Sequence, residues 1–245
     1  HECATTVPGS GTQIKWRIRV QGQESESVDG PGFAPPVLDS VAPNEYSTSG
    51  GRVLKLAGTD FGLLDTATEV SVDFDDGAFV LDVVKPTVIG RSQHEVSFIL
   101  PTGVGHARNV RLRLNSNGQT VTSNAVLFSY APPVITGLNP VPTHRQNNGA
   151  PEYNLTIIGT SFCASTLCGS VLFGDTRLAR ISGGDTTDRV GILEWDHERI
   201  VMQVASSGVN VSVVVTGEPE SRESNRQLFS TQTASIDALS ASQIL

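Results

Sequence analysis

The strongest constraint on this 245-residue chain is that it repeats itself. Pro35-Pro36-Val37-Leu38-Asp39-Ser40-Val41-Ala42-Pro43 returns as Pro132-Pro133-Val134-Ile135-Thr136-Gly137-Leu138-Asn139-Pro140. Gly58-Thr59-Asp60-Phe61-Gly62 returns as Gly159-Thr160-Ser161-Phe162-Cys163, and Val72-Asp73-Phe74-Asp75-Asp76 as Val171-Leu172-Phe173-Gly174-Asp175. A late segment recurs three times, as Trp16 to Val20, Val110 to Leu114 and Val211 to Val215. Phe229 stands seven residues before Ile236, as Phe128 stands before Ile135, so a further copy begins at Ser235-Ile236. A period of about one hundred residues is a whole domain rather than one hairpin or one helix pair, so the chain reads as a tandem array.

Each copy is built of strands. No stretch holds apolar residues at helical spacing for three turns, whereas Val53 to Leu56, Val70 to Phe74, Val96 to Leu100, Val110 to Leu114, Leu155 to Ile158 and Val209 to Val215 are short, alternating and bounded mostly by turn residues. Alternation at period two turns one face of a strand to a core and the other to water, the requirement for two antiparallel sheets packed as a sandwich. The fold class predicted is all-β.

The order of these motifs resembles the IPT/TIG family of immunoglobulin-like domains. There a proline-bounded first strand leads to a Gly-x-x-Phe-Gly turn, a Phe-Gly strand end and a Pro-x-Gly-x-Gly bend before the last hairpin. One copy supplies Val37 to Pro43, Gly58 to Gly62, Phe74 and Pro101-Thr102-Gly103-Val104-Gly105; the next supplies Val134 to Pro140, Gly159 to Phe162 and Phe173-Gly174. The second copy departs in having Ala205-Ser206-Ser207-Gly208 at the bend and Cys163 for the second turn glycine. The resemblance spans essentially the whole chain and implies tandem immunoglobulin-like β-sandwiches.

The boundaries implied are 1–33 for the C-terminal part of a preceding domain, 34–131 and 132–230 for two complete domains, and 231–245 for the start of the next. Val7-Pro8-Gly9-Ser10-Gly11 supplies the bend of the first piece. The joints Ala34-Pro35-Pro36 and Ala131-Pro132-Pro133 have no flexible spacer, and proline fixes φ, so a semi-rigid rod is expected. Incomplete domains at both ends make the chain read as a segment of a longer repeat protein, with its open ends covered by neighbouring sequence or by another copy in a fibre.

Cys163 and Cys168 bracket four residues after the second Gly-x-x-Phe turn, where the first copy has no cysteine. A bridge is the preferred reading, with two free thiols as the alternative. A zinc site would need a second ligand pair, which the sequence does not supply. The resemblance places Cys3 before a bend, unpaired within this chain, with a partner upstream of residue 1. A bridge implies an oxidising compartment. Asn154-Leu155-Thr156 and Asn210-Val211-Ser212 are N-glycosylation sequons on alternating strands, with Leu155, Ile157, Val211 and Val213 facing inward. Together these features point to an extracellular or cell-surface location.

Little chemistry is legible. His1, His94, His106, His144 and His197 are dispersed, and no nucleophile turn or phosphate-cradling loop occurs. Asp73-Phe74-Asp75-Asp76-Gly77 lacks the third carboxylate and distal glutamate of a calcium loop, and reads as a strand entering an Asp-Gly turn. Trp195-Asp196-His197-Glu198 contains an acid and a base, but four consecutive residues on a strand or turn do not converge. No catalytic residue, cofactor or metal is expected. The net charge of −8 disfavours nucleic acid, and no apolar run is long enough to span a membrane. The function expected is therefore a non-enzymatic segment of an extracellular structural or adhesive rod mediating protein contacts. The alternative is a ligand-binding ectodomain segment of a plexin-like receptor, implied by the family's occurrence in such receptors.

Overall fold

The computed structural model describes residues 14–62, 68–74, 87–116, 119–147, 150–164, 168–178, 191–204, 208–215 and 221–230. Every regular element among them is a β-strand. The chain divides between Pro132 and Pro133 into two compact units, with Val215–Arg222 grouped with the first.

The first strands form a small nested hairpin. β1 (Ile14–Trp16) pairs with β4 (Val28–Gly30), and inside it β2 (Arg19–Val20) pairs with β3 (Gln23–Glu24) around Gln21 and Gly22, both with positive φ. The predicted single strand Trp16 to Val20 is thus broken at Arg17-Ile18, where Ser25 Oγ accepts a hydrogen bond from Ile18 N–H. Ile18, Val20 and Val28 are exposed.

The first sandwich contains β5 (Val37–Ala42), β6 (Glu45–Tyr46), β7 (Val53–Thr59), β8 (Thr68–Phe74), β9 (Thr87–Arg91), β10 (Glu95–Ile99), β11 (Arg108–Ser116), β12 (Gln119–Thr122) and β13 (Val126–Tyr130). One sheet has the order β5-β7-β10-β9. In the other, β8 runs along one edge of β11, the opposite edge is shared by β12 and β13, and β6 lies parallel to β13. Period-two patterning sends Leu54, Leu56, Val96, Phe98, Val110, Leu112 and Leu114 into one core, closed by Phe61 and Phe128. Each such aliphatic or phenyl side chain gains roughly 1.5–3 kcal/mol by leaving water.

The second sandwich repeats this plan with β14 (Val134–Asn147), β15 (Ala150–Thr160), β16 (Gly169–Phe173), β17 (Thr176–Leu178), β18 (Gly191–Trp195), β19 (Arg199–Val204), β20 (Val209–Val215), β21 (Arg222–Glu223) and β22 (Gln227–Phe229). Its sheets are β14-β15-β19-β18 and β17-β16-β20-β21, with β22 also on β20. The irregularities recur as well as the strands. The first strand of each sandwich bulges at the same place, between Leu38 and Ser40 and between Ile135 and Gly137. The edge strands β9 and β18 each carry one extra residue, Ile89 and Leu193.

Two differences stand against the simple repeat. β5 ends at Ala42, before Pro43, and the chain crosses to the other sheet as β6. β14 instead runs through Pro140 and Pro142 to Asn147, still paired with β15. Proline is tolerated there because β14 is an edge strand and the missing N–H can face away from the ladder. The end of β20 also departs from one-sided alternation, because Val211, Ser212, Val213, Val214 and Val215 are all buried.

Candidate functional site

The Gly-x-x-Phe turn holds the end of β7 and of β15 against the first strand of its sandwich. A Cβ on Gly58 would collide with Val37 O and the Phe61 ring, and one on Gly159 with Val134 O and the Phe162 ring, so only glycine fits. The turns have left-handed residues at equivalent places: Asp60 and Gly62 at φ 61° and 77°, Ser161 and Cys163 at 60° and 67°. In each, the backbone N–H groups of the glycine and the phenylalanine donate across to the loop before the neighbouring strand, to His94 O and Gln93 O in one and to Glu198 O and His197 O in the other.

Cys163 occupies the conformation that Gly62 has in the first sandwich, at a cost of roughly 1 kcal/mol relative to glycine. Its sulfur is bonded to that of Cys168, and both residues are buried. In the chain-entropy model a loop this short gains about 2 kcal/mol from closure, which offsets the left-handed strain. Trp195 completes the corner. Its Nε1–H donates to Phe162 O at 2.9 Å, and its ring lies 2.6 Å from where a Cβ on Gly169 would sit.

A second repeated device, a Ser-Asn pair just before the last strand, escaped the reading by motif. Asn124 Oδ1 accepts from Leu38 N–H at 2.7 Å and its Nδ2 donates to Leu38 O at 2.8 Å; Asn225 does the same for Ile135 at 2.8 and 3.0 Å. Leu38 and Ile135 are the residues at which the first strands bulge, so the asparagine supplies partners where the ladder is interrupted. The preceding serines, Ser123 and Ser224, are buried and accept from Leu112 N–H and Val213 N–H. The legible signal was Ser-Asn-x-x-Leu-Phe, present at 123–128 and 224–229.

The side chains that resembled chemistry serve turns. Asp196 Oδ1 accepts from Glu198 N–H and Arg199 N–H at 2.9 and 2.7 Å, as Ser92 Oγ accepts from His94 N–H and Glu95 N–H in the first sandwich. Burial lowers the pKa of His197, against the opposing pull of Asp196 and Glu198. His94 is exposed, with Nδ1 beside Gly58 O at 3.2 Å, and His106 is exposed. Among the described residues no three His, Cys, Asp or Glu side chains are grouped to hold a metal ion. Among the described residues no helix is long and apolar enough to cross a membrane. Cys3, His1, the bend at Val7 to Gly11, Asp75 to Gly77, Ala205 to Ser207, Ser235-Ile236 and the side chain of His144 lie outside the described residues.

The two sequons differ in setting. Asn210 is exposed on β20, opposite the exposed Leu228, while Ser212 is buried and its Oγ donates to Glu223 Oε1 at 2.7 Å. That hydrogen bond, with a smaller contribution from Arg226, lowers the pKa of Glu223. Asn154 is half-buried on the inner strand β15, between Val141 and Gln203. Leu155, Ile157, Val211 and Val213 all face inward, fully buried.

The first sandwich has the one complete Pro-Gly bend of the described chain. Tyr130 O–H donates to Pro101 O at 2.9 Å, Gly103 lies under the Tyr130 ring, Tyr130 N–H donates to Gly105 O, and Arg108 Nη1 donates to Val104 O. Burial pushes the Tyr130 phenol well above the ordinary range, with Arg108 pulling slightly the other way. The family model for the IPT/TIG domain matches residues 36–130, the span that holds this turn and bend. Residues 36–130 form an IPT/TIG domain. No curated protein matches the chain.

Solved structures similar to the chain include the plexin A4 full extracellular region, at 15% identity and a TM-score of 0.29, over 81% of this chain and 16% of that one. The chain thus spans about one sixth of that plexin chain. A titin immunoglobulin tandem is 8% identical with a TM-score of 0.27, over 80% of this chain and 97% of its own. A further titin structure is 8% identical with a TM-score of 0.29, over 81% and 100%. IPT/TIG domains are in general interaction modules rather than catalysts. In the second sandwich the IPT/TIG turn glycine and phenylalanine, the bulged first strand and the Ser-Asn pair all recur.

Proposed function

We propose that the chain is a non-enzymatic segment of an extracellular structural or adhesive protein built from tandem IPT/TIG-like repeats, whose rod presents surface to protein partners. In this reading residues 34–131 and 132–230 are complete domains, and 1–33 and 231–245 belong to the domains on either side. The observation that carries it is a buried disulfide inside a repeated sandwich. A bridge that pins a turn is maintained where the surroundings are oxidising, and the sandwich plan recurs along the chain as the repeat reading requires. Exposed Asn210 fits the same location as an acceptor for sugar, with half-buried Asn154 the second acceptor.

Non-reducing peptide mass spectrometry of native material tests the location. The expected result is a Cys163–Cys168 cross-linked peptide together with hexosamine on Asn210. Free thiols at both cysteines with bare asparagines would put the protein in a reducing compartment and overturn the proposal. Surface cross-linking then tests the partner: covalent capture of a protein is expected, and a native chain that captures none in its tissue context removes the adhesive role. A membrane span and cytoplasmic signalling domain in the full-length protein would replace the rod by a receptor ectodomain.

A further inference from the structure

The nested hairpin of β1 to β4 repeats the last strands of both sandwiches, in register and in hydrogen bonds. Trp16 lies opposite Val28 as Val110 lies opposite Val126 and Val211 opposite Gln227. Two residues on, Ile18 N–H donates to Ser25 Oγ and Ile18 O accepts from Ser25 N–H, as Leu112 does with Ser123 and Val213 with Ser224. Each serine hydroxyl then donates to the next carbonyl along, that of Glu26, Asn124 or Asn225. By this register Trp16, Ile18 and Val20 stand where the first sandwich has Val110, Leu112 and Leu114 and the second has Val211, Val213 and Val215. Those six residues are all buried, the first three in one core with Leu54, Leu56, Val96 and Phe98 of the facing sheet. Trp16, Ile18 and Val20 are instead 40%, 69% and 62% exposed.

The hairpin is also filled as a core face is filled. Gly30 holds the register position of Phe128 and Phe229, both fully buried in their sandwiches. A Cβ on Gly30 would collide with the Trp16 indole, so the ring missing from the last strand is supplied from the first, Trp with Gly here for Val with Phe there. We infer that the Trp16-Ile18-Val20 face is covered by a complementary antiparallel β-sheet of the same polypeptide. Its chemistry is read from the two complete copies: strands like β5, β7, β10 and β9, with aliphatic or phenyl side chains alternating inward. Its source follows from chain order, because those strands precede β11 in the first sandwich and their counterparts precede β20 in the second. Residues 1–13 are too few to form such a sheet, so it is carried ahead of residue 1. The inference rests on the proposed reading of 1–33 as the end of a preceding domain, and names the face by which that domain closes.

Hydroxyl-radical footprinting of the full-length native protein and of the 245-residue chain reads this face, with Trp195 as internal reference. Oxidation of Trp16 relative to Trp195 is expected to be lower in the native protein by about tenfold or more, with exchange of the Ile18 amide slowed as much. Both should survive dilution by about a hundredfold, since the covering sheet is on the same polypeptide. Equal oxidation of Trp16 in the two samples overturns the inference. Protection that vanishes on dilution overturns the assignment to the same polypeptide. The ring exchange gives a second test within the native protein. Gly30→Phe adds a ring where the Trp16 indole already lies, and should speed exchange of the Ile18 amide by about tenfold. Trp16→Val combined with Gly30→Phe recreates the Val110 and Phe128 pair, and should return the rate to within about threefold of the natural protein. An Ile18 amide indifferent to Gly30→Phe, as on an open face where the indole can swing aside, overturns the inference. So does a double variant no better than Gly30→Phe. Protection of Trp16 in a native protein with free thiols at Cys163 and Cys168 overturns the extracellular location and leaves this face assigned.

Discussion

Replacing Asn225 by alanine tests whether the Ser-Asn pair holds the first strand of its sandwich. The substitution removes the acceptor for Ile135 N–H at 2.8 Å and one donor to Ile135 O at 3.0 Å. Ile135 is buried, so its N–H loses its partner away from water, which costs roughly 1–3 kcal/mol. Its carbonyl keeps Gln227 Nε2, which donates at 3.3 Å and limits the damage there. The expected loss is about 2 kcal/mol. Asn124→Ala is the sharper case, because Val126 stands where Gln227 would be and has no donor to offer Leu38 O. Its loss should exceed that of Asn225→Ala by about 1 kcal/mol, one further hydrogen bond. Urea unfolding of the full chain reads both: Trp195 fluorescence follows the second sandwich, and hydrogen exchange at Leu54 and Phe98 follows the first. With a slope of roughly 1–2 kcal/mol per molar for a domain this size, Asn225→Ala should lower the Trp195 midpoint by about 1–2 M urea. A shift below about 0.3 M, or a larger loss for Asn225→Ala than for Asn124→Ala, would refute the argument that these amides stand in for the interrupted ladder.

Replacing both cysteines by serine should cost the second sandwich about 2 kcal/mol and leave the first unchanged, while Cys163→Gly with Cys168→Ser should recover about 1 kcal/mol of it by relieving the left-handed strain; urea midpoints of the two variants decide. Tyr130→Phe should cost about 1 kcal/mol at neutral pH through the lost bond to Pro101 O. The sign of its pH effect follows from burial: the folded phenol keeps its proton where the unfolded one releases it, so the stability Tyr130 supplies is complete below about pH 10 and falls above it. The phenylalanine variant should therefore lose stability less steeply than the natural chain in alkaline unfolding curves, and equal slopes would remove burial as the cause.

The sandwich was legible because period-two patterning and the repeat constrain the same residues. Leu54 and Leu56 alternate inward on β7 as Leu155 and Ile157 do on β15, and Gly58 and Gly159 mark where both strands run against a carbonyl. Local pattern did less well where tertiary contacts decide. Trp16 to Val20 alternates over five residues, yet breaks because Ser25 hydrogen-bonds across at Ile18. Val211 to Val215 alternates at Ser212, yet buries both faces, since Ser212 finds Glu223 and the flanking valines are covered. The Ser-Asn pair was present in both copies, but short polar residues before a strand read as an ordinary turn until the asparagine is seen reaching back to the bulge.

The contrast between Pro43 and Pro140 shows why repetition in sequence does not guarantee repetition in edge chemistry. Both prolines end the same nine-residue motif. After Pro43 the chain has Asn44-Glu45-Tyr46, short enough to cross to the other sheet and capped by a ring that packs on the core of that sandwich. After Pro140 it has Val141-Pro142, and this segment stays beside β15, with Val141 opposite Asn154 and Pro142 opposite Tyr153. The same motif thus leads to a short strand that changes sheets in the first sandwich and to a longer hairpin in the second. A chain carrying Pro142→Glu and Thr143→Tyr restores the Glu-Tyr pair of β6. If these two residues set the course of the strand, protection of the Ser230 amide should rise toward that of Ser129, whose N–H donates to Asn44 O, and unchanged exchange there would show that the β14–β15 pairing itself holds the segment.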